Sequence, residues 1–513
     1  MKTSQEIKAC FLFHRRFAYA GHAMVLTLRK KYGIEKFCGY AHLRPSLQFL
    51  KSQNNISYTQ LLLDEDIHKQ YKNEPLDLEY LKHLEQEYGI PYLWPFIEID
   101  RIIRYNLLVR DYPYDTPKYS HEEIMKILQV KAKAIINFLQ EEKPDFIFFS
   151  AIVSLSGMLL YYIAKKKGIK TFLLRHAGIG GRYSITENYK SIECVDNTFD
   201  DIQKNSDPYE KYILRAEKFL SDFRAKPSPY SSFFTSKKKE MKRRRQFAFL
   251  LPHKIFKSVN WFVKLSCGYF FNKNMGDYSN VKPWYYLLDR LKRKIRVLIG
   301  FDDLYDKIDL NEDYAFFPLQ YQPEASTLLY APFYADQIWL IKQIGRSLPI
   351  HYKLYVKDHP VMFGYRPRRY YKELKKIPNV KLIKPGAATF DLIKNAKLVT
   401  VNTSTAGWEA VLFKKPVITF GDAFYNKLPA VKKCEAIEDL PQIIKEQIEN
   451  FNHDEKLLIH FIAAIYKESV DVNLVQLWPI EGGGKMEKKE KELVPLVDLV
   501  AEKLHLQPIK HNA

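Results

Sequence analysis

FIFFSAIVSLSGMLLYYIAKKKGIKTFLL, residues 146–174, is the stretch on which the fold turns. Its first 19 residues, Phe146 to Ala164, carry no charge, which is enough to cross a bilayer. The run is not uniform, however. FIFF is followed by a serine-containing break, a helical stretch from about Leu155, then Lys165–Lys167, Gly168 and a second strand-like run, Lys170–Leu174. Strand, helix and strand in that order describe a buried βαβ unit, in which central parallel strands read as continuous apolar runs.

The same alternation extends outward. Toward the N-terminus, the pattern predicts strands at Lys8–Phe13 and Lys36–Tyr40 and helices at His22–Lys31, Leu78–Tyr88 and Glu122–Glu141. A further helix is expected at Pro208–Phe223. From Tyr314 the pattern resumes, with strands at Tyr314–Leu319, Tyr352–Val356, Val380–Ile383, Leu398–Val401 and Val417–Phe420 and helices between them. Crossover connections of this kind give parallel, doubly wound sheets. The expected fold is α/β and GT-B-like, with two doubly wound Rossmann-like domains facing a cleft and C-terminal helices. The boundaries fall at 1–230, 231–305 (an insert), 306–453 and 454–513.

The 513 residues are 46% apolar, which excludes a mostly disordered chain. Eighty Lys and Arg against 59 Asp and Glu give a net charge of +21, so the partner is expected to be anionic. The insert supplies much of that charge, through the run Lys237–Arg245, and is followed by aromatics including Trp261, Phe262, Tyr269 and Phe270. Basic residues beside aromatics suit a membrane surface, and a solvated linker is the alternative. No nucleic-acid reading motif accompanies them. Five scattered cysteines form no C-x-x-C pair, and the polar N-terminus has no apolar core of a signal peptide, so a reduced cytosol is the expected compartment.

In an open parallel sheet, ligands bind beyond the carboxyl ends of the strands. Lys357, Asp358, His359 and Pro360 stand at one such end, where His359 could donate to a phosphate oxygen. Asn402, Thr403, Ser404, Thr405, Ala406 and Gly407 stand at another, before a helix whose free N–H groups suit phosphate, with Glu409 one turn in for ribose hydroxyls. An ordinary N-cap is the plainer alternative there. Gln320 and Glu324 follow the first strand of this half and face the cleft, where they could meet a sugar or position a base. Gly421, Asp422 and Tyr425 lie on the same rim. On the first domain, Arg15, His22, Arg175, His176 and Arg182 lie in basic loops suited to an acidic sugar or a lipid phosphate. Asp64-Glu65-Asp66 reads as a solvated helical face, and nothing has the spacing of a metal cage or a nucleotide P-loop.

Phe317-Pro318-Leu319-Gln320, Lys357-Asp358-His359-Pro360 and Val401 through Ala410, continued by Lys415-Pro416-Val417 and Gly421, resemble the bacterial capsule polysaccharide biosynthesis proteins, which include β-Kdo transferases. The His-Pro element paired with a Ser/Thr cluster also resembles bacterial GT-B sialyltransferases. The resemblance implies a metal-independent glycosyltransferase without a cofactor. It would move a sugar, such as Kdo or another acidic sugar from a CMP-sugar, to a lipid-linked or glycan acceptor at the inner face of the cytoplasmic membrane. His359, Ser404, Thr403 and Thr405 would hold the donor phosphate, with Lys357, Asn402, Gly407, Glu409 and Gln320 around it and Glu324 as a second catalytic group. A polyol-phosphate transferase, a nucleotide-sugar epimerase and a non-catalytic membrane scaffold are the alternatives.

Overall fold

The computed structural model describes residues 4–105, 118–228, 251–477 and 486–509. The basic run Lys237–Arg245 and Gly482–Gly484 lie outside the described residues. Two sheets organise the chain. The first contains β1 (Lys8–Phe13), β2 (Lys36–Ala41), β3 (Tyr58–Leu63), β4 (Phe146–Phe149), β5 (Lys170–His176) and β6 (Arg182–Thr186), closed at its edge by β13 (Val470–Asp471). The second contains β7 (Tyr314–Pro318), β8 (Lys353–Lys357), β9 (Val380–Ile383), β10 (Leu398–Val401), β11 (Val417–Thr419) and β12 (Val431–Lys433).

Strand order in the first sheet is β13-β6-β5-β4-β1-β2-β3, and in the second β12-β11-β10-β7-β8-β9. The second sheet is parallel throughout. In the first, β1 to β5 are parallel, while β6 and β13 run antiparallel at one edge. The stretch FIFF is therefore a central strand, buried at every position, followed by a helix, Leu155–Lys166, capped by Ser154. It is a βαβ unit, as its pattern predicts. Among the described residues, no helix is long and apolar enough to cross a membrane.

Three features go beyond the linear reading. The helix Met486–Lys503 returns to the first domain and lies on the helix Phe17–Tyr32, where Lys31 and Tyr32 bond Asp498 at 2.7 and 2.8 Å. The helices Glu193–Lys204 and Glu210–Ala225 share a core with Trp408, Tyr425 and Phe461 on the second-domain side. Residues 251–300 form two helices, Pro252–Phe270 and Pro283–Ile299, which touch where the Arg290 guanidinium lies 3.6 Å from the Trp261 ring centre.

Each sheet has one place where the chain reverses its direction of winding. In the second sheet, β8 and β9 are laid down on one side of β7, and β10 to β12 on the other. In the first, β2 and β3 lie on one side of β1, and β4 and β5 on the other. Loops diverge at such a point and leave a crevice beyond the strand ends. The loops concerned follow β7, β10 and β1.

Candidate functional site

The second-sheet crevice is bounded by residues 319–324 and 402–404, with the loop after β8 beside it. A buried ion pair fixes the loop after β8 to residues 319–324. Arg366 and Asp358 are both fully buried and paired. Arg366 also donates to the Gln320 carbonyl at 2.5 Å, while Asp358 accepts from the Tyr371 hydroxyl and, at 2.8 Å, from the His359 backbone N–H. The Gln320 N–H donates in turn to Gln337 Oε1 at 2.6 Å. Lys357 is buried at the end of β8.

His359 is half-buried at the rim. Its Nδ1 accepts from the Val361 N–H at 3.2 Å, so the neutral ring carries its proton on Nε2. Its ring centre is 6.2 Å from that of Tyr321. The histidine thus has a fixed tautomer with a donor edge.

Beyond β10, Asn402 is buried. Its Nδ2 donates to the Tyr334 carbonyl at 2.8 Å, and its Oδ1 has no partner among the described residues. Ser404 caps the helix Thr405–Leu412 by accepting from the Ala406 N–H at 3.1 Å, and its own carbonyl accepts from the Tyr425 hydroxyl. Thr403, Ser404 and Thr405 are all half-exposed at this end. The smallness of Gly407 serves the scaffold: a Cβ there would meet Tyr425 Oη at 2.3 Å and Val401 Cγ2 at 2.9 Å. Gly407→Ala should therefore lower stability by about 1–3 kcal/mol through overpacking, read as a shifted urea midpoint. Glu409 is buried and lines a separate cavity of ≈ 270 Å³, shared with Gly178, Gly180, Arg182, Arg215, Tyr466 and Asp471. Among the described residues, no group of three or more His, Cys, Asp or Glu side chains is placed to hold a metal ion.

The first-domain crevice carries His14 and Arg15. Arg15 has a left-handed backbone (φ 48°), and its carbonyl accepts from Ser46 Oγ at 2.8 Å. Burial, and then the Arg101 charge, pull Arg15 below the usual arginine value. Burial and the neighbouring His42, at 4.7 Å between ring centres, hold His14 neutral. Arg101 donates to the Pro323 carbonyl at 3.1 Å. It thereby joins this cationic crevice to the loop that ends in Glu324, itself exposed.

The other basic residues of the first domain have different surroundings. His22 is buried, with Nδ1 2.8 Å from the Tyr58 hydroxyl and Nε2 3.1 Å from Asn55 Oδ1. His176 accepts from the Gly178 N–H at 2.9 Å and lies 2.8 Å from the Gly180 carbonyl, and burial lowers it to about 4. Arg182 is buried and donates to Ser469 Oγ at 2.9 Å and the Tyr466 carbonyl at 3.1 Å, tying down the C-terminal segment. Arg175 donates to the Tyr189 carbonyl at 2.7 Å and lies over the Tyr330 ring, across the domain boundary. Of the five, Arg15 is the one beside Arg101.

Asp64 and Glu65 are a correction. They are not a solvated face: β3 ends at Leu63, and both carboxyls are buried beyond it. Asp64 pairs with Lys131 at 2.6 Å, both fully buried, and accepts from Tyr40, Ser156 and Tyr278. The preceding YTQLLL, mostly half-buried in the fold, is too mixed in pattern to mark the strand that ends at Leu63. Arg101 was also missed, having no motif around it.

The model of a family described as "Capsule polysaccharide biosynthesis protein" matches residues 268–430. Protein FixF of Sinorhizobium fredii is 30% identical over 125 residues, which are 23% of this chain and 29% of that protein. The chain therefore matches less than a third of the length of this curated relative. Among solved structures, a β-Kdo 2,7 transferase, KpsC of Thermosulfurimonas dismutans, aligns with 14% identity and a TM-score of 0.34, over 74% of this chain and 97% of that one. A UDP-GlcNAc 2-epimerase of Neisseria meningitidis aligns with 14% identity and a TM-score of 0.26, over 96% and 99%. The resemblance carried by residues 317–320, 357–360 and 401–410 thus holds: over residues 268–430, this chain matches the capsule polysaccharide biosynthesis protein family.

Proposed function

We propose that this protein is a glycosyltransferase of capsule or surface polysaccharide assembly. It takes a sugar from a nucleotide-sugar donor on the second domain and passes it to a lipid-linked or glycan acceptor entering from the first. The observation that carries this reading is the crevice of the all-parallel sheet, where the N-terminus of the helix Thr405–Leu412 and the fixed-tautomer His359 stand beyond the ends of β10 and β8, the two strands on either side of β7. The positive end of the helix and the Thr403, Ser404 and Thr405 hydroxyls suit the donor's phosphate. Asn402, whose buried Oδ1 has no partner among the described residues, and Lys357 and Gln320 shape the floor.

In the reaction, the bond between the anomeric carbon and the phosphate oxygen breaks, and a bond from the acceptor oxygen to that carbon forms. The acceptor proton goes to the Glu324 carboxylate. The departing phosphate takes its hydrogen bond from His359 Nε2–H and the helix N-terminus, so charge is met where it develops. This scheme uses no metal and no cofactor. An acidic or phosphate-bearing acceptor suits the cationic crevice at Arg15 and Arg101, a CMP-activated acidic sugar such as Kdo is the donor, and the reaction would run at the cytoplasmic face of the membrane.

Thermal-shift titration tests the donor. A nucleotide sugar at 100 times its Kd should add about 2.7 kcal/mol of stability. Stabilisation by CMP-sugars and not by UDP-GlcNAc is expected. Stabilisation by UDP-GlcNAc alone, with turnover at its C2 centre, would replace transfer with epimerisation.

A further inference from the structure

We propose that the two helices Pro252–Phe270 and Pro283–Ile299 form a docking element for an anionic membrane surface, lying in the interface without crossing it. The inference deepens the membrane-side location given above and uses none of the transfer chemistry. Each helix leaves an apolar stripe in solvent: Phe256, Val259 and Val263 on the first, 72%, 56% and 50% exposed, and Leu291, Ile295 and Leu298 on the second, 54%, 47% and 44%. The spacings are those of one helical face. The element is nevertheless firmly held. Between the helices, the Tyr278 hydroxyl donates to Asp64 and lies 3.1 Å from His42 Nε2, and Asp277 pairs with Arg44 and Lys69 at 2.9 and 2.6 Å. On the other side, Arg293 donates to the Tyr365 hydroxyl at 2.8 Å. The pair of helices therefore grips both domains by its inner side, while its apolar residues point away from them.

Charge identifies the occupant. Residues 251–300 contain ten Lys and Arg and two acids, Asp277 and Asp289. Both acids are buried in ion pairs, with Arg44 and Lys69 and with Arg293 respectively. The outward surface is thus apolar and cationic with no acid on it. Trp284 and Tyr285, both 41% exposed, suit the headgroup level. A second copy of this chain would bring the same positive charge against itself, whereas an anionic bilayer complements it. Neither helix is long and apolar enough to span. His42, which Tyr278 reaches at 3.1 Å, stands 4.7 Å between ring centres from His14 of the acceptor-side crevice, so the docking element borders that crevice. On the transferase reading, this delivers a lipid-borne acceptor to Arg15 and Arg101.

The test is flotation of the full chain with vesicles of phosphatidylglycerol and phosphatidylethanolamine, and with vesicles of phosphatidylcholine alone. The comparison is with a variant carrying Phe256→Ser, Val263→Ser, Leu291→Ser and Ile295→Ser, positions exposed enough for the melting temperature to be kept. The wild type should float with anionic vesicles only, less so in high salt, and the variant should bind roughly tenfold or more weakly. Equal flotation of wild type and variant would overturn the proposal. So would a wild type that ignores phosphatidylglycerol, or a variant whose only change is loss of a dimer in sedimentation. His359→Ala should float like the wild type, so a failed transfer reaction and a failed docking surface give different results.

Discussion

His359→Ala is expected to lower transfer turnover by roughly 10²–10⁴-fold, the range for losing a positioned acid or anion stabiliser. The structure makes the variant a clean one. The side chain is half-buried at the rim, and its Nδ1 accepts a backbone N–H within its own turn. The loop itself is held by the buried Asp358–Arg366 pair, which the substitution leaves intact. Stability should therefore change little, and the loss should fall on kcat more than on the donor KM if His359 acts on the departing phosphate. Ser404→Ala provides the contrast: it removes an N-cap worth about 1 kcal/mol and should raise the donor KM. Near-normal turnover of His359→Ala on a true donor would remove the histidine from the reaction.

Much of this site was legible because it stands on central strands. LVTV and FIFF are buried on both faces, so their apolar runs mark strands unambiguously, and the loops that follow them are then known. Strand order is a tertiary property, yet β7 and β10 proved to flank the reversal, which brings Gln320 and Asn402 to one crevice. The edge strand β3 was not legible: most of its residues are only partly buried, so YTQLLL shows neither a continuous run nor clean alternation. The partner that explains Asp64, Lys131, lies 67 residues away on another element. The surroundings of the basic loops of the first domain were hidden for a related reason. A histidine or arginine near a strand end looks the same in sequence whether it faces a crevice, as Arg15 does, or is spent on backbone carbonyls, as His176 and Arg182 are. Likewise, the helix Met486–Lys503 is visibly amphipathic, but only packing shows that it covers the first domain.

The Asp64 cluster supports the second large expectation. Lys131→Met should destabilise the first domain by about 3–5 kcal/mol, because removing one partner of a buried pair leaves the other charge uncompensated. In a domain of this size, that is a melting shift of roughly 6–20 °C. Burial pushes the Asp64 carboxyl up, but Lys131, with His42 and the Ser156 hydroxyl, outweighs it and holds the group below the usual carboxylate range. Its contribution in the wild type is therefore present above the unfolded value of about 3.9 and lost only as pH falls through the lower folded value. Between pH 7 and 5 it is level. In Lys131→Met the pull of the ammonium is gone and burial dominates, so the carboxyl rises above its unfolded value. The penalty then grows with pH and relaxes as the group protonates, and the gap between variant and wild type should narrow from pH 7 to pH 5. Adding Asp64→Asn should recover part of the loss at pH 7, since the amide carries no charge to bury. A gap unchanged between pH 5 and 7, and unrelieved by Asp64→Asn, would mean that Lys131 acts through its packing and not through this carboxylate. Because Tyr278 reaches the same Asp64 from the paired helices, loosening of the cluster should also weaken their hold on the first domain, visible as faster hydrogen exchange at residues 277–279.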